Sequence, residues 1–593
     1  MGYGGPGRRA SPDRPTEDLI QVALGQKPAH RYLRGARVLN VFTGELLPCG
    51  VAVWGDRIAH VGKSEKMIGE GTEVVDLEGC YLVPGYIDAH GHADYLVSPR
   101  QLARRALPLG TTAVMTDTHD ICGALGRQGM ELLMNMAADL PLRFYYALGW
   151  LVPPNPDLEG EEHFPLEEWE PFLRDERVIS LSETTSWPHI LSRNGTAMHR
   201  MKLAGRYGKK LEGHTAGCSP DKINALAAAG ITSCHESIKA EEVLERLRLG
   251  LWVMVREGSI RRDLGALGQL LDERPDLDTA RVMLTPDWMS ATDLLRLGYM
   301  DHLIREAVRL GIPPVRAYQM ATINPATYLG LDHLLGGIAP GRYADILVLD
   351  SLDNPTPLRV MAGGRWVARE GRLTVELDDR WPPVPLGDWP AHRRPAGEIS
   401  PRLFRIPIEG GDGEATLPAI AIVDKTITRL VEVRVPVAGG EVRPDGAVLK
   451  ISTLRKDGQG FVTGLLAGLG ARVGGLATTF AHDHHRPMVL GVSDEDMALA
   501  LRRLLEIGGG FVIAEGGEVV RELPLEVGGI LPGATLEEAA RQVERFNSYL
   551  QERGCPLDDP IFTIGFLSFA GLPYARITPS GVLEVIRRRI VFP

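Results

Sequence analysis

Between residues 81 and 335 the chain repeats one rhythm eight times, a short apolar run followed by a stretch that suits a helix. The runs are YLVPGYIDAH, TTAVMTDTH, RFYYALGW, VISLSET, KKLEGH, ITSCHE, LWVMVREG and RVMLTPD, separated by stretches such as SPDKINALAAAG and AEEVLERLRLG. Strands that alternate with helices pair in parallel, because each crossover helix must cover a face of the sheet. Eight such units in roughly 250 residues are the size of a closed barrel. The fold class is therefore α/β, with a (β/α)8 TIM-like barrel over 81–335; an open doubly wound sheet is the competing arrangement.

The flanks read differently. Residues 31–80 alternate with a period of two and are punctuated by Gly and Asp, and the pattern returns in LRVMAGGRWVAREGRLTV. Residues 31–80 plus 336–385 are expected to form one composite β-sandwich. Residues 1–30, which begin with Gly, Pro and charge, are expected to be a flexible tail. The stretch DDRWPPVPLGDWPAHRRPAGEISP looks like a linker to a further α/β domain over 400–593. There, GFVIAEGG and FTIGFLSFAG suit strands, and TLEEAARQVERFNSYLQERG suits a helix opened by a Thr535/Glu538 capping box.

A net charge of -11 over 593 residues argues against a general nucleic-acid binder. No apolar run reaches the roughly 18–20 residues that span a bilayer, so no membrane partner is expected. The six cysteines lack CxxC spacing and suit reduced thiols in a cytoplasmic protein. The start has no apolar signal region. Glycine-rich stretches such as LLAGLGARVGG lack the strand-to-helix setting of a nucleotide site.

Barrel enzymes assemble their chemistry where strands end. The first run ends in D-A-H-G-H, and residues i and i+2 of a strand share a face, so His90 and His92 can reach one metal. Glu183 ends the fourth run, His214 the fifth, His235 the sixth and Asp287 the eighth. Each alone has an ordinary reading, as a core histidine or a solvated loop acid. Together they suit two divalent cations, with Glu183 able to bridge them and Asp287 able to face the attacking water. His119, at the second strand's end, suits a substrate contact, support for a ligand, an accessory metal or a structural role. Glu236, Arg256 and Glu257 suit either orientation of a ring or bracing of the loops. His482, Asp483, His484 and His485 suit a reach over the barrel, a metal or a polar interdomain contact.

These motifs carry a resemblance. VPGYIDAHGH, the later single histidines, Asp287 and GIAPGRYADILVLD resemble the amidohydrolase superfamily. LPLGTTAVMTDTHDI, LEGHTAG, AGITSCHES, LWVMVREGS and FAHDHHRPMVLG resemble bacterial adenine deaminases, from about residue 30 almost to the end. The resemblance implies hydrolytic deamination of an aminopurine, foremost adenine to hypoxanthine and ammonia. It also implies manganese or iron(II), with zinc possible, and a family-type C-terminal domain. Asp287 would relay the proton, Glu236 or His119 would donate to a ring nitrogen, and Arg256 and Glu257 would contact substrate. A homo-oligomer, foremost a dimer, is expected.

Two departures stand out. The family follows its HxH histidine as H-x-E-S-S, whereas His92 is followed by Ala93, Asp94 and Tyr95; its paired strand-eight aspartates are here Asp287 and Trp288. They leave another amino-heterocycle or a cyclic amide or ureide as competing substrates. Many relatives that open such rings bridge their metals with a modified lysine, where this chain has Glu183. A catalytically inactive barrel scaffold is the reading from another class, though six intact ligands argue against it.

Overall fold

The computed structural model describes residues 16–160, 163–409 and 411–592. Its centre is a ring of parallel strands: β1 (Tyr86–His92), β2 (Thr111–Asp117), β3 (Arg143–Leu148), β4 (Val178–Thr184), β5 (Lys210–Gly213), β6 (Ser233–Cys234), β7 (Trp252–Arg256) and β8 (Val282–Thr285). β1 to β5 pair in order, as do β6 to β8. Parallel bridges, Leu211 to Ile231 and Gly91 to Asp287, join the two arcs and close the barrel. The strands are almost wholly buried, as expected where helices cover the outside and side chains fill the inside.

Closure is reinforced by side chains. Asp88 accepts the Thr285 hydroxyl at 2.9 Å and the Tyr299 hydroxyl at 2.6 Å, stitching β1 to the end of β8. Complete burial pushes its carboxyl up to about 7, against the pull of these donors.

Strands from before and after the barrel share one seven-stranded sheet. Ile346–Leu349 and Arg359–Ala362 are neighbours in it, and Ile346–Leu349 also pairs with Tyr81–Pro84, which continues to Arg37–Asn40. A four-stranded sheet packs against it through Leu33, Val51, Val53 and Ile58, meeting Val38, Leu82, Ile346 and Val348.

The tail expected over 1–30 needs correction. Residues 1–15 lie outside the described residues, but Thr16–Ala23 is a helix. Its Val22 is fully buried against Tyr32, Ala52 and Ala59, and Lys27 pairs with Asp18 at 2.7 Å. The spacing of Leu19 and Val22 supplies one apolar face, which the leading glycines obscure.

The proline-rich segment is no free linker either. Trp389 is buried, and Arg393 donates to the carbonyls of His485, Ala124 and Gly528 at 2.7, 3.1 and 2.8 Å. The prolines leave only two short 3-10 turns, Leu386–Asp388 and Ala391–Arg393, yet this tryptophan and arginine pin the chain between the barrel and the C-terminal region.

That region is built on a nine-stranded sheet, antiparallel except where Gly413–Asp424 meets Phe461–Ala467. Helix Leu536–Gln551 opens with the expected Thr535/Glu538 capping box. FTIGFLSFAG, expected as a strand, is instead helix Pro560–Gly565 running into a 3-10 turn, Phe566–Ser568. Asp559 caps it by accepting from the Phe562 amide, and Pro560 presets the first turn. Among the described residues no helix is long and apolar enough to cross a membrane.

Candidate active site

β1 presents His90 and His92 on one face, and each ring is held by a carboxylate behind it. His90 Nδ1 lies 2.9 Å from Glu212 Oε2, while Tyr328 donates to the other Glu212 oxygen at 2.8 Å. His92 Nδ1 lies 3.3 Å from Asp94. An acceptor behind Nδ1 keeps its proton there and leaves Nε2 with a free lone pair. Both Nε2 atoms lie 3.5 Å from Asp287 Oδ1. That of His90 is buried with no hydrogen-bond partner.

Glu183 stands between this pair and a second one. Its Oε2 is 2.7 Å from His214 Nδ1 and 3.0 Å from His235 Nε2, while Oε1 faces His92 Nε2 at 3.9 Å. The Glu183 amide donates to Asp117 at 2.8 Å, which aims the end of β4 inward. Burial opposes ionisation of Glu183, but His214 and His235 outweigh it and hold the carboxyl well below its usual range.

The donor atoms of His90, His92 and Asp287 lie within 4.8 Å of one another, as do those of His90, Glu183 and His235. Imidazole and carboxylate without thiolate, with the buried Nε2 of His90 unpartnered, is a donor set that fits divalent transition cations. The six sequence candidates are thus brought together.

The other candidates divide. Asp287 has φ 63°, a left-handed conformation that costs a non-glycine residue about 1–3 kcal/mol. It is tied down by Thr285 Oγ1 at its amide and by the His92 amide at its carbonyl, both at 3.0 Å. Arg256 ion-pairs with Glu236, reaches Asp287 Oδ2 at 3.3 Å and Asp263 at 3.0 Å, and so braces three acids. Glu236 lies 3.6 Å from His235 Nε2. Burial works against its charge, but Arg256 and His214 bring it down to about 2, which favours the ionised, accepting form.

Glu257 is not part of the cluster: its carboxylate faces Arg262 at 3.9 Å, because successive residues at a strand end point opposite ways. His119 is divided. Its Nδ1 faces Asp117 at 3.0 Å and Glu183 at 3.7 Å, whereas Nε2 faces the C-terminal region.

Glu212 and Asp94 are supports that sequence reasoning missed. Glu212 was open to the argument that found His90 and His92, being two residues before His214, which directly follows β5. Asp94 stands where the family pattern has glutamate; it keeps the carboxylate, one methylene shorter, and also caps the helix that begins at His119 by accepting from the Asp120 and Ile121 amides at 3.0 and 3.2 Å.

The two departures pack on one another. Tyr95 and Trp288 stack at 5.6 Å, and the stack continues to Phe480 on one side and Phe562 on the other. The C-terminal region therefore helps to build the wall beside Asp287. Trp288 Nε1 is buried there without a hydrogen-bond partner.

Comparison with known proteins agrees with this geometry. The amidohydrolase family matches residues 81–367, and the adenine deaminase C-terminal domain matches residues 425–589. An adenine deaminase of Moorella thermoacetica is 37% identical over 97% of this chain and 97% of its own. One from Rubrobacter xylanophilus is 36% identical over 98% and 97%, and one from Kosmotoga olearia 32% over 97% and 98%.

Proposed function

Because the chain belongs to the adenine deaminase family of the amidohydrolases, we propose that it deaminates adenine hydrolytically, giving hypoxanthine and ammonia at the barrel mouth. The observation that carries this reading is Glu183, whose Oε2 faces His214 and His235 and whose Oε1 faces His92, with Asp287 on the far side of His92. His90, His92 and Asp287 would hold one cation, His214 and His235 the other, with Glu183 between.

When bound, two divalent cations, manganese or iron(II) before zinc, supply the Lewis acidity that lowers the pKa of water to about 7. Asp287, ionised because His90 and His92 outweigh the effect of its burial, takes a proton from the attacking water. It returns that proton to the exocyclic nitrogen, so ammonia leaves and not an amide anion. Glu236 passes the other proton of the attacking water to the ring nitrogen beside C6 and then accepts a hydrogen bond from that N–H, which steadies the adduct once C6 becomes tetrahedral. Arg256 keeps Glu236 and Asp287 at fixed separation. The Tyr95–Trp288 stack, its outer faces taken by Phe480 and Phe562, offers ring edges beside Asp287 to a flat heterocycle. Six free cysteines support a reducing compartment.

A panel of adenine, other aminopurines, pterins and cyclic ureides, scored for ammonia against ring opening, tests the reading. We expect ammonia, with adenine the best substrate. Ring opening of a ureide with no ammonia from adenine overturns it.

A further inference from the structure

A second cluster of buried ligands lies behind His119, where the C-terminal region docks on the barrel. The helix that follows β2 contributes His119 and Asp120, and the loop after Gly475–Thr478 contributes His482 and Asp483. All four side chains are buried, and their ligand atoms lie within 4.8 Å of one another. His119 Nε2 is 3.1 Å from Asp120 Oδ2, 3.2 Å from His482 Nε2 and 3.3 Å from Asp483 Oδ1; the last two are 3.2 Å apart.

Asp120 Oδ2 and Asp483 Oδ1 have no hydrogen-bond partner despite full burial. Two such oxygens facing one another's histidines are costly unless a positive charge lies among them. Four donors placed tetrahedrally about 2.0–2.1 Å from a cation stand about 3.3 Å apart, close to the four separations just given.

The surroundings are arranged to suit. Asp117 lies 3.0 Å behind His119 Nδ1 and keeps the proton there, leaving Nε2 free toward the cluster. Asp120 Oδ1 is held by His485 Nε2 at 2.6 Å, which leaves Oδ2 to point inward. Phe566 stacks on His482 at 4.3 Å and fixes its ring. Gly123 lets the loop come down: a Cβ there would stand 2.2 Å from the Asp483 carbonyl oxygen.

We propose that His119, Asp120, His482 and Asp483 bind a divalent cation of tetrahedral preference, zinc foremost, separate from the barrel-mouth pair. The ion clamps the C-terminal region onto the barrel. It also fixes His119, whose other nitrogen faces Glu183, so the domain seam and the catalytic cluster share one rigid side chain.

The test strips full-length protein with a chelator, dialyses it against excess zinc, removes loose metal by gel filtration and counts zinc by mass spectrometry. We expect the wild type to retain one more zinc per chain than either Asp483→Asn or His482→Ala. Equal zinc in all three proteins overturns the proposal. The count reads a difference, so failure of the barrel-mouth pair to bind lowers all three alike and is told apart. Should the variants fail to fold, anomalous diffraction of zinc-saturated wild-type crystals decides: a peak among the four named atoms supports the site, and its absence overturns it.

Discussion

The barrel mouth and the domain seam collect the same kinds of side chain, yet they are supported in different ways. At the mouth, His90 leans on Glu212 and His92 on Asp94, all within the barrel segment. At the seam His119 leans on Asp117, but His482 leans on Asp120, itself a member of the cluster, and two of the four carboxylate oxygens have no partner. The mouth is thus arranged by the closure of one sheet. The seam exists only when two regions dock, and its unpartnered oxygens are what docking leaves behind. A site within one sheet is set by strand register; a site across a seam is conditional on assembly.

The sharpest way to break this contrast is at Asp287. Asp287→Asn keeps its shape but cannot take a proton, and a positioned acid-base group contributes roughly 10²–10⁴-fold. We expect ammonia release from adenine to fall about 10³-fold; a rate near that of the wild type would remove Asp287 from the proton path. Glu212→Gln comes next. Losing a carboxylate behind a ligating histidine typically costs about 10–100-fold in metal affinity, which competition with a chromogenic chelator reads. Unchanged affinity would show that the mouth needs no such support.

Gly123→Ala acts first on the seam, where the added Cβ would meet the Asp483 carbonyl. Overpacking costs about 1–3 kcal/mol, so proteolysis within residues 378–401 should quicken about tenfold as docking loosens. Thr535→Ala touches neither site. Loss of a cap is worth about 1 kcal/mol, so hydrogen exchange in the first turn of Leu536–Gln551 should rise about fivefold with catalysis unaltered.

The mouth was largely legible because a strand's period of two turns spacing into facing. His90 and His92 declare themselves that way, and Glu183, His214, His235 and Asp287 each fall where a run of apolar residues stops. Asp94 was hidden as a departure because a shortened carboxylate does not match a pattern written with glutamate. Local patterns also misread two segments. Aromatics in FTIGFLSFAG suggest a strand, but Asp559 and Pro560 start a helix that puts Phe562 and Phe566 on one face. Prolines near Trp389 suggest a linker, yet that tryptophan is buried. The seam was legible only as separate candidates: His119 and the run His482 to His485 each suited a metal or a contact, but His119 and His482 are 363 residues apart, and no periodicity relates a barrel helix to a loop of a later sheet.

The most direct measurement compares adenine turnover by full-length protein loaded with manganese(II), stripped by chelator, and reloaded. We expect hypoxanthine and ammonia in equal amounts from the loaded protein, loss on stripping, and recovery on reloading. Turnover that persists in the stripped protein, or none in a fully loaded one, would contradict a metal-dependent adenine deaminase built on these six side chains.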